Sequence, residues 1–488
     1  MKSHSFRLAA ALCAAATLCT LTSCAAPGQA SLLDPKNPTT VTIWNYYNGD
    51  QLSAFESLVS KFNDTVGAQQ GIVVVSVSQG SIDNLASCLL ESVEGKVGAA
   101  NVPSAAAIYA ESAHILNAQG VLAPLDPYFT EEELAEYVPS FLDEGRLTSG
   151  GDLLLLPVSK STEAFVVNTT DWAPFAQATG ITADSIRTCE DMTAAAESYY
   201  AWTDGLTPDV PNDGKALYGR DSVANYIYIT TKQLGHEMFP VAPDGTVTVD
   251  LDRDTFKTLW DNYYIPYING YFAAYASHRS EDLKTGSILA MTGSTSGASY
   301  LPTAVTNADD FTYGIELSTR PALLFSGALE DVSVQQGAGY CVLKTSEAEQ
   351  YATAEFLKWF TDAEQNLDFS LSSGYSPVKL AANNVDKLTA AFTVDSPKAQ
   401  HVLDALVISA KVYTSGNTYI CRAFDGSKEL RDLLANLLQD TATADRAAVK
   451  QALDAGATQA DAVAPYSTDA YFDDWFQNLC AQVHEVLA

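Results

Sequence analysis

The first third of the chain alternates between short apolar runs and amphipathic stretches. Residues 41–45 and 72–77 have the pattern of strands, and residues 51–65 between them place apolar side chains at helical spacing. A strand, a helix and a second strand in this order close right-handed onto a parallel sheet. Because the alternation continues through residues 81–93 and 105–109, the pattern predicts a complete α/β lobe in this part of the chain.

Two apolar runs then meet at a short polar elbow within residues 153–168. The first run ends at Pro157, which cannot donate to a central sheet ladder and therefore marks the end of a strand. The elbow contains Ser159, Lys160, Ser161 and Thr162. A surface hairpin is one interpretation, but no Gly or Asn provides the usual chemistry of a two-residue turn. We therefore predict that the chain crosses here from one lobe to another.

The pattern after this elbow predicts a second lobe with more helix. Residues 287–292 have the pattern of a strand, and the small polar loop at 293–297 is either an ordinary loop or a second crossing that faces a ligand. Aromatic residues are dense between positions 263 and 275. Their helical spacing favours packing in the core over stacking on a sugar.

At 488 residues the chain is too long for a single core of ordinary size. We expect an α/β protein of two lobes, each a mixed, mostly parallel sheet flanked by helices, with hinge crossings between them. The predicted N-terminal lobe comprises residues 39–157 and 303–345. The predicted C-terminal lobe comprises residues 163–291 and 347–488.

The N-terminus has the organisation of a bacterial lipoprotein signal. An apolar run at residues 8–21 is too short to cross a bilayer comfortably but suits a signal peptide. It ends in LTSC at residues 21–24, which resembles the lipobox, where the cysteine is acylated and becomes the mature N-terminus. We predict a removed signal peptide at 1–23, a lipid anchor at Cys24, a tether at 24–38, and a location on the extracellular face of the bacterial cell membrane.

The charge balance excludes one large class of partners. The chain has 27 basic and 59 acidic residues, a formal net charge of −32, and the predicted signal peptide removes two more basic residues to leave −34. Such a field disfavours nucleic-acid binding, and an anionic ligand would need a local cation.

The cysteines outside the signal and lipobox are odd in number and widely spaced, and no metal-ligand or cofactor motif is present. We expect no disulfide framework, metal site or cofactor.

The order of several motifs resembles the bacterial extracellular solute-binding proteins of family 1, which serve ABC importers. Within that family the resemblance is greatest to the members that bind sn-glycerol 3-phosphate. It covers nearly the whole mature chain, from about residue 41 to about residue 455. The motifs that carry it are VTIWNYYNG, IYAESAHILNAQGVLAPLD, LPVSKSTEAFVVN, SILAMTGSTSG, QQGAGYCVL, TAEFLKWFTDAEQN and GYSPV.

The resemblance implies a type II periplasmic-binding-protein fold and a ligand site at the matching positions. These positions are Ser161, Ser296, Gly337, Tyr375 and Arg422. Arg422 matches the phosphate-binding arginine of the family, and a guanidinium offers a planar fork of donors to a phosphate. An unpaired surface arginine is the alternative interpretation of Arg422.

Weaker ligand candidates come from the first strand, the elbow and the loop after the third strand. They are Trp44, Tyr46, Tyr47, Glu111 and Lys160. A family tyrosine is replaced by Ile82, and a family glutamate by Ala110 with Glu111 adjacent. Since both replaced groups are polar, the ligand is a glycerol-3-phosphate-like phosphate ester or a sugar, and the sequence does not decide between them.

We therefore expect a binding protein that captures a small polar solute between two lobes and delivers it to the transmembrane subunits of an ABC permease, without catalysis. A secreted carbohydrate-active hydrolase is one alternative, with Asp473 and Asp474 as the candidate catalytic carboxylates. Because they are adjacent on a predicted helix, a solvated surface is the simpler interpretation. A surface adhesin is a further alternative, which the complete α/β pattern disfavours.

Overall fold

The computed structural model describes residues 32–148, 151–242 and 244–488. The predicted signal peptide at 1–23 and the anchor Cys24 lie outside the described residues. None of the helices in the described part of the chain has both the length and the apolar character of a membrane span.

Strands and helices alternate through most of the described chain. The strands are β1 (Thr39–Asn45), β2 (Ile72–Ser78), β3 (Ala105–Ile108), β4 (Leu156–Pro157), β5 (Glu163–Asn168), β6 (Tyr218–Arg220), β7 (Ala290–Ser294), β8 (Ala304–Thr306), β9 (Thr312–Gly314), β10 (Leu317–Pro321), β11 (Ser333–Val334), β12 (Gly339–Val342) and β13 (Thr418–Tyr419). The helices are α1 (Gly49–Phe62), α2 (Ala68–Gln70), α3 (Ile82–Val93), α4 (Ala110–Ala118), α5 (Glu131–Ala135), α6 (Pro139–Gly145), α7 (Thr169–Thr179), α8 (Cys189–Asp204), α9 (Val223–Gln233), α10 (Arg253–Asn269), α11 (Arg279–Thr285), α12 (Glu347–Phe360), α13 (Ala363–Ser373), α14 (Val385–Ala391), α15 (Pro397–Ser415), α16 (Ser427–Asp454), α17 (Gln459–Val463) and α18 (Asp469–Val486).

Two mixed sheets form the centres of two lobes, as predicted. The first sheet has the order β2-β1-β3-β12-β4, with β1 parallel to β2 and β3 and with β12 antiparallel to β3 and β4. The second sheet has the order β10-β5-β7-β6. There β5 is antiparallel to both of its neighbours, and only β6 and β7 are parallel. The apolar pattern identified several of these strands but missed β6, and it did not reveal that the second sheet is mainly antiparallel.

The structure departs from the predicted division of the chain between the lobes. Strand β10 pairs with β5, so this part of the predicted segment 303–345 lies in the second lobe. Helices α12 and α13 belong to the first lobe instead of the second, because Phe356 and Phe369 pack in the same core as Phe55 of α1. The reason is aromatic complementarity between helices that are distant in sequence, and local periodicity cannot indicate which lobe an amphipathic helix will cover.

Two hinge segments, residues 158–162 and 335–338, connect the lobes, and a third segment, residues 374–378, lies beside them and packs in the first lobe through Tyr375 and Val378. The predicted elbow is the first of them, since β4 ends at Pro157 in the first sheet and β5 begins in the second. Backbone hydrogen bonds join the elbow to the other two segments, through Lys160 with Ser376 and through Ser161 with Gln336. The loop at 293–297 is not a crossing, because it continues into a 3-10 helix that packs against α15 in the second lobe.

The dense aromatic segment contributes mainly to the core of the second lobe. Tyr263, Tyr264 and Tyr267 of α10 are all buried there. This confirms the prediction that these three aromatic side chains pack in the core.

Candidate ligand cleft between the lobes

A cleft of about 710 Å³ lies between the two lobes and beside the hinge segments. A volume in this range suits a small-molecule ligand. Side chains of both lobes and of the hinge line it. The polar side chains that line it include Tyr46, Asn48, Gln51, Glu163, Asp221, Asn225, Ser294, Ser296, Gln336 and Tyr375.

Two groups of hydroxyls contribute to the cleft and its immediate surroundings. Ser294 Oγ donates to Ser161 Oγ at 3.1 Å and lies 2.8 Å from Ser296 Oγ. The phenol oxygens of Tyr46 and Tyr375 are 3.1 Å apart. Because a hydroxyl has one donor and two acceptor positions, these groups retain hydrogen-bonding capacity for a ligand. They present that capacity from both lobes.

Burial raises the pKa of both phenols further above neutral pH. It raises the pKa of Tyr375 to about 12, although the hydrogen bond with Tyr46 acts in the opposite direction. The pKa of Tyr46 is raised well above its ordinary value by burial first and by Tyr375 second. Both phenols are therefore neutral near pH 7 and remain able to donate a hydrogen bond.

A hydrogen-bonded network that contains one buried ion pair forms one wall of the cleft. Glu163 accepts hydrogen bonds from Asn225 Nδ2 and Arg220 Nη2, each at 3.1 Å. Asn225 Nδ2 also donates to Gln336 Oε1 at 2.8 Å, and Arg431 Nη2 donates to Asn225 Oδ1 at 2.9 Å. The ion pair and Arg431 therefore fix two side-chain amides, those of Asn225 and Gln336, in the wall.

The rim of the cleft on the second lobe is acidic. Asp221 Oδ1 accepts a hydrogen bond from the backbone N–H of Arg279 at 2.8 Å. Burial raises the pKa of the Asp221 carboxyl, although its hydrogen bond and charge contact with Arg279 lower it. Glu281 is a second carboxylate of the rim. Among the described residues that line the cleft, the cationic types are His278 and Lys284, and both are exposed.

Several predicted site residues converge on this cleft. Ser296, Tyr375 and Tyr46 line it, and Ser161 lies immediately beside it through its bond to Ser294. Gly337 is outside the lining and lies within a hinge segment. Its φ is +109°, and a Cβ atom there would lie 2.6 Å from the carbonyl oxygen of Ser159. Gly337 therefore permits the close approach of two hinge segments.

The structure places Arg422 outside the cleft lining. It lies in a second pocket of about 260 Å³, here called the rear pocket, whose charged and polar lining includes Asp143, Glu144, Lys232, Glu237, Gln335, Tyr419 and Arg422. Arg422 Nη2 lies 2.6 Å from Asp143 Oδ2. Arg422 therefore neither lines the cleft nor is an unpaired surface arginine.

Lys160 does not present its charge to the cleft either. Its ammonium group is buried, lies 2.7 Å from Glu144 Oε2 and donates to the carbonyl oxygen of Gly337 at 2.8 Å. The elbow lysine therefore holds the hinge segments to the first lobe.

The remaining weaker candidates lie around the cleft rather than in its lining. Trp44 and Tyr47 are buried in the cores of the first lobe, and the Tyr47 hydroxyl is 3.3 Å from Ser159 Oγ. Glu111 is in the first turn of α4. Burial alone would lower the pKa of Arg431, but nearby charges, led by Glu111, raise it above its ordinary value.

A family model described as bacterial extracellular solute-binding protein matches residues 57–397, which is more than half of the chain. The chain belongs to this family. A search of the curated proteins gives no match for this solute-binding protein.

Solved structures of binding proteins share its two-lobed fold. UgpB from Mycobacterium tuberculosis in complex with glycerophosphocholine has a TM-score of 0.65 at 16% identity, with 92% of this chain and 99% of that chain covered. The protein Lmo0181 from Listeria monocytogenes in complex with cycloalternan gives 0.64 at 14% identity, with 92% and 100% covered. The cyclic α-maltosyl-1,6-maltose binding protein from Arthrobacter globiformis gives 0.60 at 16% identity, with 91% and 100% covered.

Sequence reasoning missed several cleft residues of this solute-binding protein. Asp221 and Asn225 follow β6 at its carboxyl end, and ligands of open α/β sheets bind at such ends. That rule could have selected them if the short strand β6 had been recognised. Gln336 precedes a predicted glycine and could have been included with it. Among the described residues, no group of three or more His, Cys, Asp or Glu side chains is arranged to hold a metal ion.

Proposed function

We propose that this extracellular solute-binding protein captures a neutral polyhydroxylated ligand, an oligosaccharide, in the cleft and delivers it to an ABC permease. The observation that carries the proposal is the chemistry of the cleft wall. Hydroxyl, phenol, amide and carboxylate groups converge there, and these groups exchange hydrogen bonds with sugar hydroxyls.

The pairing of Arg220 and Arg279 with carboxylates supports a neutral ligand over a phosphate ester. Arg220 pairs with Glu163 at 3.1 Å, and Arg279 pairs with Asp282 at 3.2 Å. A phosphate needs donors that are not already neutralised by carboxylates. Arg422, the arginine expected from the family resemblance, pairs with Asp143 in the rear pocket.

The hydrolase alternative receives no support from the carboxylates that first suggested it. Asp473 lies 2.6 Å from Arg253 Nη2, in an exposed ion pair. Neither it nor Asp474 is among the residues that line the cleft. Incubation of the protein with maltotriose should leave the sugar intact, and release of shorter sugars would contradict a binding function.

Calorimetric titration tests the ligand class. The wild type is titrated with maltotriose, glycerophosphocholine and glycerol 3-phosphate, and the same titrations are repeated with Asn225→Ala and Arg422→Ala. We expect binding of the oligosaccharide, a loss of at least about tenfold for Asn225→Ala because a buried hydrogen-bonding network is broken, and no loss for Arg422→Ala. Selective binding of a phosphate ester that Arg422→Ala abolishes would contradict the proposal.

We further propose that the protein is held on the extracellular face of the membrane by a lipid on Cys24. The support is the apolar run at 8–21 followed by LTSC, together with membership of an extracellular family. Cys24→Ala should release the protein from the membrane fraction or leave it unprocessed, and metabolic labelling with palmitate should fail. Unchanged labelling and membrane association in Cys24→Ala would contradict the anchor.

A further inference from the structure

A further pocket of about 330 Å³, here called the side pocket, adjoins the cleft. The first turn of α1 and the 3-10 helix Thr295–Tyr300 contribute to both spaces. Asp50 and Ser299 line the side pocket, and their neighbours in the chain, Gln51 and Ala298, line the cleft. The two spaces therefore share a common wall.

Tyr300 lies at the boundary of the two spaces. It lines the cleft, whereas the preceding residue, Ser299, lines the side pocket. The Tyr300 side chain is exposed, and its hydroxyl donates to the carbonyl oxygen of Asn48 at 3.3 Å. Because a hydrogen bond of this length is weak, Tyr300 can turn outward and join the cleft to the side pocket.

The polar groups of the side pocket suit a neutral sugar. Asp50 Oδ2 lies 2.6 Å from Lys398 Nζ, and the two side chains are 61% and 48% exposed. Because this contact uses one position on each group, the carboxylate keeps acceptor positions and the ammonium keeps donors for sugar hydroxyls. Ser372 and Thr393 add exposed hydroxyls to the lining. Since the ion pair cancels its own charge, the pocket favours a ligand without net charge.

The side pocket also has an apolar surface. Leu371, Phe392 and Val402 line it. Val402 is buried in a core cluster of the second lobe, and Phe392 is half-buried against the same cluster, so the phenyl ring is held in place without being fully covered. The C–H face of a sugar ring can pack on such a ring, because this contact removes apolar surface from water.

We propose that the side pocket is an accessory subsite for one end of an oligosaccharide that is longer than the cleft alone can hold. The chain occupies the cleft and passes Tyr300. Its terminal ring packs on Phe392 and exchanges hydrogen bonds with Asp50 and Lys398. The inference rests on the proposed function of the cleft and adds a preference for longer chains to it.

Calorimetric titration with maltotriose and maltoheptaose tests this subsite. The ratio of the two dissociation constants is the readout, because a general effect on cleft closure changes both constants alike. Wild-type protein should bind maltoheptaose about tenfold more tightly, as expected for one or two additional hydrogen bonds. Phe392→Ala should abolish most of this preference. Ser372→Trp, at an exposed position, should do the same by filling the pocket.

Matched controls come from residues that line neither the cleft nor the side pocket. Asp432→Asn removes a 2.6 Å ion pair with Lys428 whose side chains are 58% and 42% exposed, and Phe311→Ala removes an exposed aromatic ring. Both variants should keep the wild-type ratio. Asp50→Asn removes an ion pair of the same length and similar exposure, and it should lower the ratio.

Equal affinity of the wild type for the two sugars would overturn the inference. So would a preference for maltoheptaose that persists in both Phe392→Ala and Ser372→Trp, since a longer chain also offers more binding registers within the cleft. In both cases maltotriose still binds, and the proposed function stands. If neither sugar binds, the proposed function and the accessory subsite are both wrong. Thermal unfolding at the wild-type temperature verifies that the variants are folded.

Discussion

The two faces of the hinge satisfy their polar groups in different ways. On the cleft face, Ser294, Ser296 and Tyr375 bond to other hydroxyls and retain capacity for further hydrogen bonds. On the rear face, Lys160 and Arg422 are each paired with a carboxylate of the first lobe. A cation near a binding site can therefore be assigned as a ligand contact only after its partners within the protein are known.

The largest expected effect comes from breaking the buried ion pair of the rear face. Lys160 and Glu144 have side chains that are 2% and 5% exposed, and removal of one partner leaves an uncompensated charge. Lys160→Met should lower the free energy of unfolding by about 3–5 kcal/mol, measured by urea denaturation. The double variant with Glu144→Leu should recover part of this loss. The control is Glu136→Gln, which removes a 2.7 Å ion pair between Lys379 and the exposed Glu136. A loss no larger than that of the control would contradict the role of Lys160 in the hinge.

A smaller effect is expected where two hinge segments approach most closely. Gly337→Ala introduces a Cβ that lies 2.6 Å from the Ser159 carbonyl oxygen at a φ of +109°. We expect a loss of about 1–3 kcal/mol in unfolding free energy from backbone strain. The control is Gly416→Ala, where φ is +75° but no atom lies within 4 Å of the added Cβ. Equal losses in both variants would show that close approach of the hinge segments contributes nothing.

The smallest effect is expected on the cleft face. Tyr375→Phe removes a single phenol hydroxyl, so it should weaken ligand binding by about 1 kcal/mol, or about fivefold. Calorimetric titration measures this change. The control is Tyr413→Phe, because the Tyr413 hydroxyl is buried without a hydrogen-bond partner in the described structure and Tyr413 is not among the residues that line the cleft. If both variants weakened binding equally, Tyr375 would have no special role at the ligand.

The sequence was sufficient to predict the lobes' general architecture and the first crossing. Periodicity identified β1, α1 and β2, and Pro157 correctly marked the end of β4. Periodicity could not assign α12 and α13 to a lobe, since that assignment depends on which distant aromatic residues they meet. Their partners are Phe55 and Phe62, about 300 residues earlier in the chain.

Only part of the candidate site could be predicted from the sequence, for a similar reason. Hydroxyls at Ser161, Ser296 and Tyr375, which the family resemblance implied, are near the cleft. Arg422 and Lys160 were expected as cations for a ligand, but carboxylates from α6 neutralise both. Charge pairing between distant segments is a property of the folded chain and leaves no local pattern in the sequence.

A crystal structure of the protein grown with maltotriose tests the central claim most directly. The account predicts sugar density in the cleft, within hydrogen-bonding distance of Tyr375 and Asn225. Density in the rear pocket beside Arg422, with an empty cleft, would contradict it.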